Sequence, residues 1–339
     1  MTFPSAYYLA AFGGSFVASA VSLPLWRSWC LRHALVDDPG HRKIHDQPIP
    51  LAGGLAVMTG LAVPTLLASA AFWSGHTGGG PQGEPVTPLP QDQTAGFLLS
   101  YGLHRRVFEL GGILVGAIGM LVLGLLDDKH ELRPGRKFIG QLLIAALVAT
   151  AGVRITLFVP NLLFSYAVTM FWILTVINAF NFMDNMNGLC AGLSAIGAFY
   201  FGTAAAAAGQ YLVALISFLT LGAMLGFLPY NFPRARAFLG DSGSHLAGYL
   251  MAVLAILPHF YTSNHPHRWA VLTPLFVLAM PLADLAWVVM LRSLNGQPFY
   301  IGDTNHLSHR LVRRGLSRPA AVGLIWLMAA LIGAAAYFV

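Results

Sequence analysis

The sequence predicts an all-α integral membrane protein of about ten transmembrane helices, a single polytopic domain over 1–339 with both termini outside and five cytoplasmic loops forming its site. Three observations carry this. Of the 339 residues 56% are hydrophobic and only 9% charged, where a soluble domain carries about 25% charged residues. The apolar residues fall into ten runs, most near the length of a membrane span, and mean hydropathy is +0.66. The basic residues collect on one side of those runs. This composition argues against a water-soluble enzyme and a disordered chain.

The runs lie near 7–25, 51–73, 110–126, 138–158, 161–180, 188–207, 210–228, 245–260, 269–291 and 320–339. No Lys or Arg precedes the first, so it lacks the basic flank of a cleaved signal and is expected to stay as a helix with its N-terminus outside. Alternating from there, inside loops 26–50, 127–137, 229–244 and 292–319 hold fifteen of the nineteen basic residues. Arg105, Arg106, Arg154 and Arg268 fall outside, an asymmetry that fits the positive-inside rule. The net charge of +6 therefore reads as topology, and no nucleic-acid partner is expected. Segment 74–109, rich in Gly and Pro, reads as a flexible outside loop, with a short interfacial helix over its last residues. Cys30 and Cys190 show no ligand-like spacing.

Nine of the thirteen acidic residues also fall at the inside loops. Acidic residues contribute little to topology, so a carboxylate cluster on the basic face points to metal or phosphate chemistry, with a salt-bridged surface as the plain alternative. The first loop, VDDPGHRKIHDQPIPLAGG at 36–54, sets Arg42, Lys43 and His45 beside stiffening prolines and the Gly53-Gly54 pair, an arrangement suited to anionic phosphates. In the second, GLLDDKHELRPGRKF at 124–138, Asp127 and Asp128 follow directly on an apolar span. Adjacent carboxylates there need a cation, Mg²⁺ or a neighbour such as Lys129, Arg136 or Lys137, to offset their charge.

The third loop, NAFNFMDNMNGL at 178–189, repeats Asn178, Asn181, Asp184 and Asn187 every third residue, which on a helix winds as a polar stripe. Carboxamides and one carboxylate supply hard oxygen ligands and hydrogen-bond partners for a nucleotide or sugar. In the fourth, YNFPRARAFLGDSGSHLAG at 230–248, Asp241 is expected in a small-residue turn before a helix whose first N–H groups favour phosphate. The fifth, IGDTNHLSHRLVRRGLSRP at 301–319, brings His306, His309 and Arg310 together as diphosphate donors. Asp284, within the ninth run, is expected to be functional or to pair with Arg292 or a neighbour.

Taken together, D-x-P-x-x-R-K-x-H-x-x-P-x-P-x-x-G-G, G-L-L-D-D with a downstream K-F-x-x-Q, N-A-F-N-x-x-D, F-L-G-D-S-G-S and H-x-x-H-R-L resemble the polyprenyl-phosphate N-acetylhexosamine-1-phosphate transferases. The resemblance spans residues 36 to 316, in order, one motif per inside loop. It implies a ten-helix enzyme of the inner membrane that moves a sugar 1-phosphate from a UDP-sugar to undecaprenyl phosphate on the cytoplasmic face, releasing UMP. It implies Mg²⁺, with Mn²⁺ as a substitute, and a homodimer by analogy. Its metal ligands fall on Asp241 and Asn181, its catalytic aspartates on Asp127, Asp128 and Asp184, and its lysine and histidine motifs on Lys137, His306 and His309. Lys43, His45, Asn178, Asn187 and Arg310 complete the expected substrate-binding set.

Two departures stand out. The pattern N-x-x-D-G-x-D-G-L is here NFMDNMNGL, with Asn185 for a Gly and Asn187 for the second Asp, and H-x-H-H is here HLSH, with Ser308 for a His. The ending HLSHRL is more similar to the branch that uses UDP-GlcNAc than to the peptidoglycan translocase. UDP-MurNAc-pentapeptide or another UDP-N-acetylhexosamine is the alternative donor, and a lipid-binding or transport protein the alternative class.

Overall fold

A computed structural model describes residues 4–38, 47–75, 106–156, 159–258, 268–298 and 304–338. Lys43, His45, Asp303 and most of segment 74–109, including the expected interfacial helix, lie outside them. The regular structure of the described residues is helical except for one two-stranded ribbon, β1 (Val36–Asp37) paired antiparallel with β2 (Ile49–Pro50). Its helices are α1 (Ser5–Arg32), α2 (Gly53–Gly75), α3 (Val107–His130), α4 (Pro134–Thr150), α5 (Leu162–Met183), α6 (Leu189–Ala207), α7 (Tyr211–Asn231) and α8 (Gly240–Ile256). A 3₁₀ turn (Arg268–Leu272), α9 (Thr273–Val277), α10 (Ala279–Leu294), α11 (Leu307–Arg313) and α12 (Arg318–Ala335) follow.

Each of the ten apolar runs coincides with helix, but ten full spans are not what the described residues present. Seven helices are long and apolar enough to cross a membrane, α1, α2, α3, α5, α6, α7 and α12. The helices α4 and α8 have 17 residues each, about 26 Å of rise. The ninth run is broken, its two halves bent by 73° at Leu278, and counts as an eighth span only if the pair is taken together. The protein is a multi-pass membrane protein, and its outward face is correspondingly apolar, with Leu66, Leu143, Leu163 and Phe171 all exposed. In lipid those side chains are at home, so the core is marked instead by small residues and satisfied hydroxyls. On α1, Ser15 and Ser19 donate to the carbonyls of Leu219 and Ala223 on α7, where Gly222 and Gly226 allow the backbones to touch.

The central post is α8. Fifteen of its 17 residues are buried, leaving only Asp241 and Ile256 less covered, so its first turn presents Asp241 at one end of the bundle. The helix packs against α3 and α5. Close contact with α3 depends on Gly124, where a Cβ would overlap the backbone of Ser242. The ribbon is tied to the same end: Phe238 N–H donates to Pro50 O, and Gly53 and Gly54 N–H donate to Phe238 and Leu239 O.

Candidate active site

The second loop folds back on itself because α3 ends at Glu131, in the left-handed conformation (φ 46°), and Pro134 restarts the chain as α4. Proline suits a helix's first turn, where its missing N–H is not needed. The reversal lays Lys137 alongside Asp127. Lys137 Nζ lies 2.7 Å from Asp127 Oδ2, while Asp127 Oδ1 accepts from Leu132 N–H at 2.8 Å. The same ammonium reaches Asn181 Oδ1 and Asp241 Oδ1, both at 3.4 Å. The carboxamide of Asn181 in turn donates to Asp241 Oδ1 (2.5 Å) and Ser244 Oγ (2.9 Å). Ends of α3, α4, α5 and α8 thus converge on one cation position. Asp127 is buried, whereas the Asp241 side chain is 34% exposed, so the cluster opens to solvent on the Asp241 side.

Asp128 does different work from its neighbour. Its two oxygens accept from the backbone N–H groups of Asp241 (2.7 Å) and Ser242 (3.0 Å), so a carboxylate from α3 caps the start of α8. Two expectations are corrected here. Asp241 lies in the first turn of α8 rather than in a turn before it, because Gly240 (φ 74°) opens the helix and the Ser-Gly-Ser residues continue it. Two of that helix's first N–H donors, those of Asp241 and Ser242, serve Asp128 and are not left for phosphate.

The polar stripe of the third loop is also divided. Because α5 ends at Met183, Asp184 stands at its C-terminus and Asn187 beyond it. Asn178 donates to Gln141 Oε1 (3.0 Å) and Leu174 O (2.8 Å), and Asn187 to Pro233 O (3.3 Å), so only Asn181 of the three carboxamides joins the cluster. Asp184 makes no hydrogen bond or ion pair through its carboxylate among the described residues. Burial pushes it well above the usual carboxylate range, and the charges of Asp241 and Asp128 push it further.

The C-terminal motif forms a second group docked on the end of α5. His306 Nδ1 meets Asp284 Oδ2 at 2.6 Å, Leu307 N–H donates to Asp284 Oδ1 at 2.6 Å, and the His306 ring stands edge-on to Phe182. Asp284 therefore pairs with a neighbouring segment, while Arg292 lies over the Phe182 ring. Arg310 lies over Trp287. Burial lowers the pKa of the His309 imidazole, as do the charges of His306, Arg313 and Arg318, while Asp284 pulls the other way. Among the described residues His306, His309 and Arg310 make no hydrogen bond or ion pair with the aspartate cluster, and His306 and Arg292 both pack on Phe182, the residue after Asn181.

Sequence reasoning missed His245. It stands one turn after Asp241, fully buried, and neither ring nitrogen has a hydrogen-bond partner among the described residues. Asp127, Asp241 and His245 each offer a ligand atom, all within 4.8 Å of one another. The signal was present as a lone imidazole in an otherwise apolar helix, at the i+4 position from an aspartate.

Comparison with known proteins places this geometry. Residues 110–259, from α3 through α8, match the model of glycosyl transferase family 4. The chain is 31% identical to a probable undecaprenyl-phosphate N-acetylglucosaminyl 1-phosphate transferase of Bacillus subtilis, covering 94% of this chain and 81% of the relative. It is 32% identical to a decaprenyl-phosphate N-acetylglucosaminephosphotransferase of Mycolicibacterium smegmatis, over 90% and 75% of the two chains. It is 28% identical to an undecaprenyl-phosphate alpha-N-acetylglucosaminyl 1-phosphate transferase of Yersinia pestis, over 94% and 80%. Similar to such relatives at about 30% identity over most of its length, and with four of the five motifs described at one end of one bundle, the chain belongs to glycosyl transferase family 4, the polyprenyl-phosphate N-acetylhexosamine-1-phosphate transferases.

Proposed function

We propose that this protein transfers N-acetylglucosamine 1-phosphate from UDP-GlcNAc to undecaprenyl phosphate, releasing UMP and forming the lipid-linked diphosphate sugar that starts a cell-envelope polysaccharide. The observation that carries this is the convergence of Asp127, Lys137, Asn181 and Asp241 on one cation position at the end of four helices, in a chain whose relatives carry such names. The positive-inside pattern supports reading that end as the cytoplasmic face of the inner membrane, where a soluble nucleotide and a lipid phosphate can meet. Ten crossings with both termini outside are part of this reading. Assembly as a homodimer rests on family analogy alone.

The donor set fits a hard divalent cation. Asp127, Asp241 and Asn181 supply oxygen atoms, and the place between them attracts the Lys137 ammonium. When bound, Mg²⁺ or Mn²⁺ neutralises the diphosphate and makes its bridging oxygen a better leaving group. The chain's own part is positioning. Lys137 supplies a second positive charge for phosphate oxygens, and Asp128 fixes Asp241 by capping its helix. Among the three candidate bases, Asp127 is engaged by Lys137 and Leu132, and Asp128 by two N–H groups. Asp184 is the one whose oxygens have no hydrogen-bond partner among the described residues, and burial raises its proton affinity. We assign to it the proton of the lipid phosphate. His306, held by Asp284, and Arg310, lying over Trp287, bind the nucleotide or its sugar together with His309, with Lys43 and His45 on the lipid phosphate.

The test is UMP release by purified protein with undecaprenyl phosphate, a divalent cation and a panel of UDP-sugars. Release with UDP-GlcNAc, abolished by Asp241→Ala, is expected. Release only with UDP-MurNAc-pentapeptide or UDP-GalNAc would reassign the donor, and none from any donor would remove the transferase reading.

A further inference from the structure

His245 is a buried imidazole beside two carboxylates with neither ring nitrogen partnered among the described residues. It lies on α8, one turn below Asp241, where residues i and i+4 share a face, and it is 0% exposed. Buried imidazoles normally satisfy both ring nitrogens, one as donor and one as acceptor. Here Nδ1 and Nε2 both go without a partner among the described residues. A ligand nitrogen of this ring lies within 4.8 Å of ligand oxygens of both Asp127 and Asp241. The Lys137 ammonium, which occupies the cation position between those aspartates, makes no hydrogen bond to the ring. In an apolar helix a Leu or Met would fill the same volume without the desolvation cost of two unmet nitrogens.

We infer that His245 is a nitrogen ligand to the cation held by Asp127 and Asp241, making a mixed oxygen and nitrogen site that takes Mn²⁺ in preference to Mg²⁺. This rests on the metal-dependent transferase reading and deepens it. The chemistry follows from ligand type. Mg²⁺ favours oxygen and keeps its waters, whereas an imidazole strengthens binding of first-row transition ions. Neutral imidazole coordinates through one nitrogen. With Asn181 from α5, Asp127 from α3 and Asp241 and His245 from α8 would make four ligands, leaving the remaining positions for water and phosphate oxygens.

The experiment is electron spin echo envelope modulation on the full-length protein in detergent, loaded with one equivalent of Mn²⁺, without nucleotide. Expected is a ¹⁴N coupling of directly bound imidazole that converts to a ¹⁵N pattern when only histidine is ¹⁵N-labelled. In His245→Leu, which keeps the buried volume apolar, that coupling disappears and Mn²⁺ affinity falls by about 10–100-fold, the range for losing one supporting group at a bound metal. His245→Gln, which retains a polar tip, should lose the coupling too, guarding against misfolding of a single variant. Mn²⁺ bound with no histidine coupling, a coupling that survives both variants, or no Mn²⁺ bound at all would each overturn the inference. UMP release is measured in parallel. Release with Mg²⁺ but no nitrogen coupling leaves the transferase reading standing and removes only the ligand, whereas coupling without release from any donor does the reverse.

Discussion

Ser308 donates a 2.6 Å hydrogen bond to the carboxamide oxygen of Asn185, joining the C-terminal motif to the end of α5. These are two of the positions at which the sequence departs from the motifs it resembles, one replacing a His and the other a Gly. Asn185 and Ser308 are therefore partners in the fold, whereas the third departure, Asn187, stands apart on Pro233 O. Ser308 is fully buried, and Asn185 is held from its other side by a bond to Phe182 O at 2.6 Å. A histidine at 308 would need the room that a glycine at 185 leaves.

The pair predicts a specific pattern of rescue. Ser308→Ala should cost about 1 kcal/mol of stability, the usual net worth of one such bond. Ser308→His alone should be the worse variant, because the ring meets the Asn185 side chain. Asn185→Gly with Ser308→His should recover part of the lost UMP release and melting temperature, with a coupling of about 0.5–3 kcal/mol in the double-mutant cycle. Strict additivity would show that the two positions are independent.

Lys137 holds three elements together, so its loss should exceed that of a surface charge. Lys137→Met leaves the buried Asp127 carboxylate with only the Leu132 N–H and removes a charge from the phosphate side of the site. A fall in kcat/KM for UMP release of about 10²–10³-fold is expected, the scale of losing one preorganised electrostatic group. Lys137→Arg should not restore it, since a planar guanidinium cannot sit as a point charge among three oxygens. Activity within tenfold of the parent in the Met variant would contradict this.

Gly240 and Gly209 form a matched pair for testing the cap of α8. Both have positive φ, 74° and 68°, so alanine is strained at either by about 1–2 kcal/mol. At Gly240 the new Cβ would also meet Asp128 Oδ2 at 2.8 Å, whereas at Gly209 it meets nothing within 4 Å. Gly240→Ala should lose both thermal stability and UMP release, and Gly209→Ala stability alone. Equal loss of activity in both would show that the contact between Asp128 and α8 does not position Asp241.

What sequence could show here followed physical range. Each of the ten apolar runs predicted a helix, because periodicity and hydropathy are local properties. That α4 and α8 are short and that the ninth run breaks at Leu278 depends on packing against neighbours, which hydropathy does not report. Asp127, Asp241, Asn181 and Lys137 were readable as polar groups at inside ends of helices, and they do meet. The division of labour between Asp127 and Asp128 was not, since it turns on which oxygen faces α8. His245 was hidden for the same reason: a single buried imidazole acquires meaning only when its unpaired nitrogens are seen beside two carboxylates.

The depressed His309 imidazole makes the docking of the C-terminal segment sensitive to acid. Its folded pKa lies below the ordinary histidine value of about 6.5, so the undocked state binds the proton first. Docking is therefore fully stable above that value and weakens as pH falls through it. Hydrogen exchange of α11 should quicken between pH 7.5 and 5.5, and His309→Gln should flatten that response. An exchange rate that, once corrected for intrinsic chemistry, does not vary with pH in the parent would remove the effect.

Asp184 gives the sharpest test of the assigned proton acceptor. It stands at the negative end of α5, where a carboxylate is disfavoured, and burial with the charges of Asp241 and Asp128 pushes its pKa up. A raised pKa means the group is protonated, and unable to accept, over a pH range where an ordinary aspartate is already ionised. The acid limb of kcat/KM should therefore lie above the usual carboxylate range, with rate rising as pH rises through it. Asp184→Asn should lower kcat by about 10²–10⁴-fold, the range for a general base, with little change in the binding of UDP-GlcNAc measured by calorimetry. Asp184→Glu should retain the acid limb at reduced rate. If Asp184→Asn kept a tenth or more of the parent rate while Asp127→Asn did not, the proton would belong to Asp127, and Lys137 would have to leave that carboxylate before each turnover.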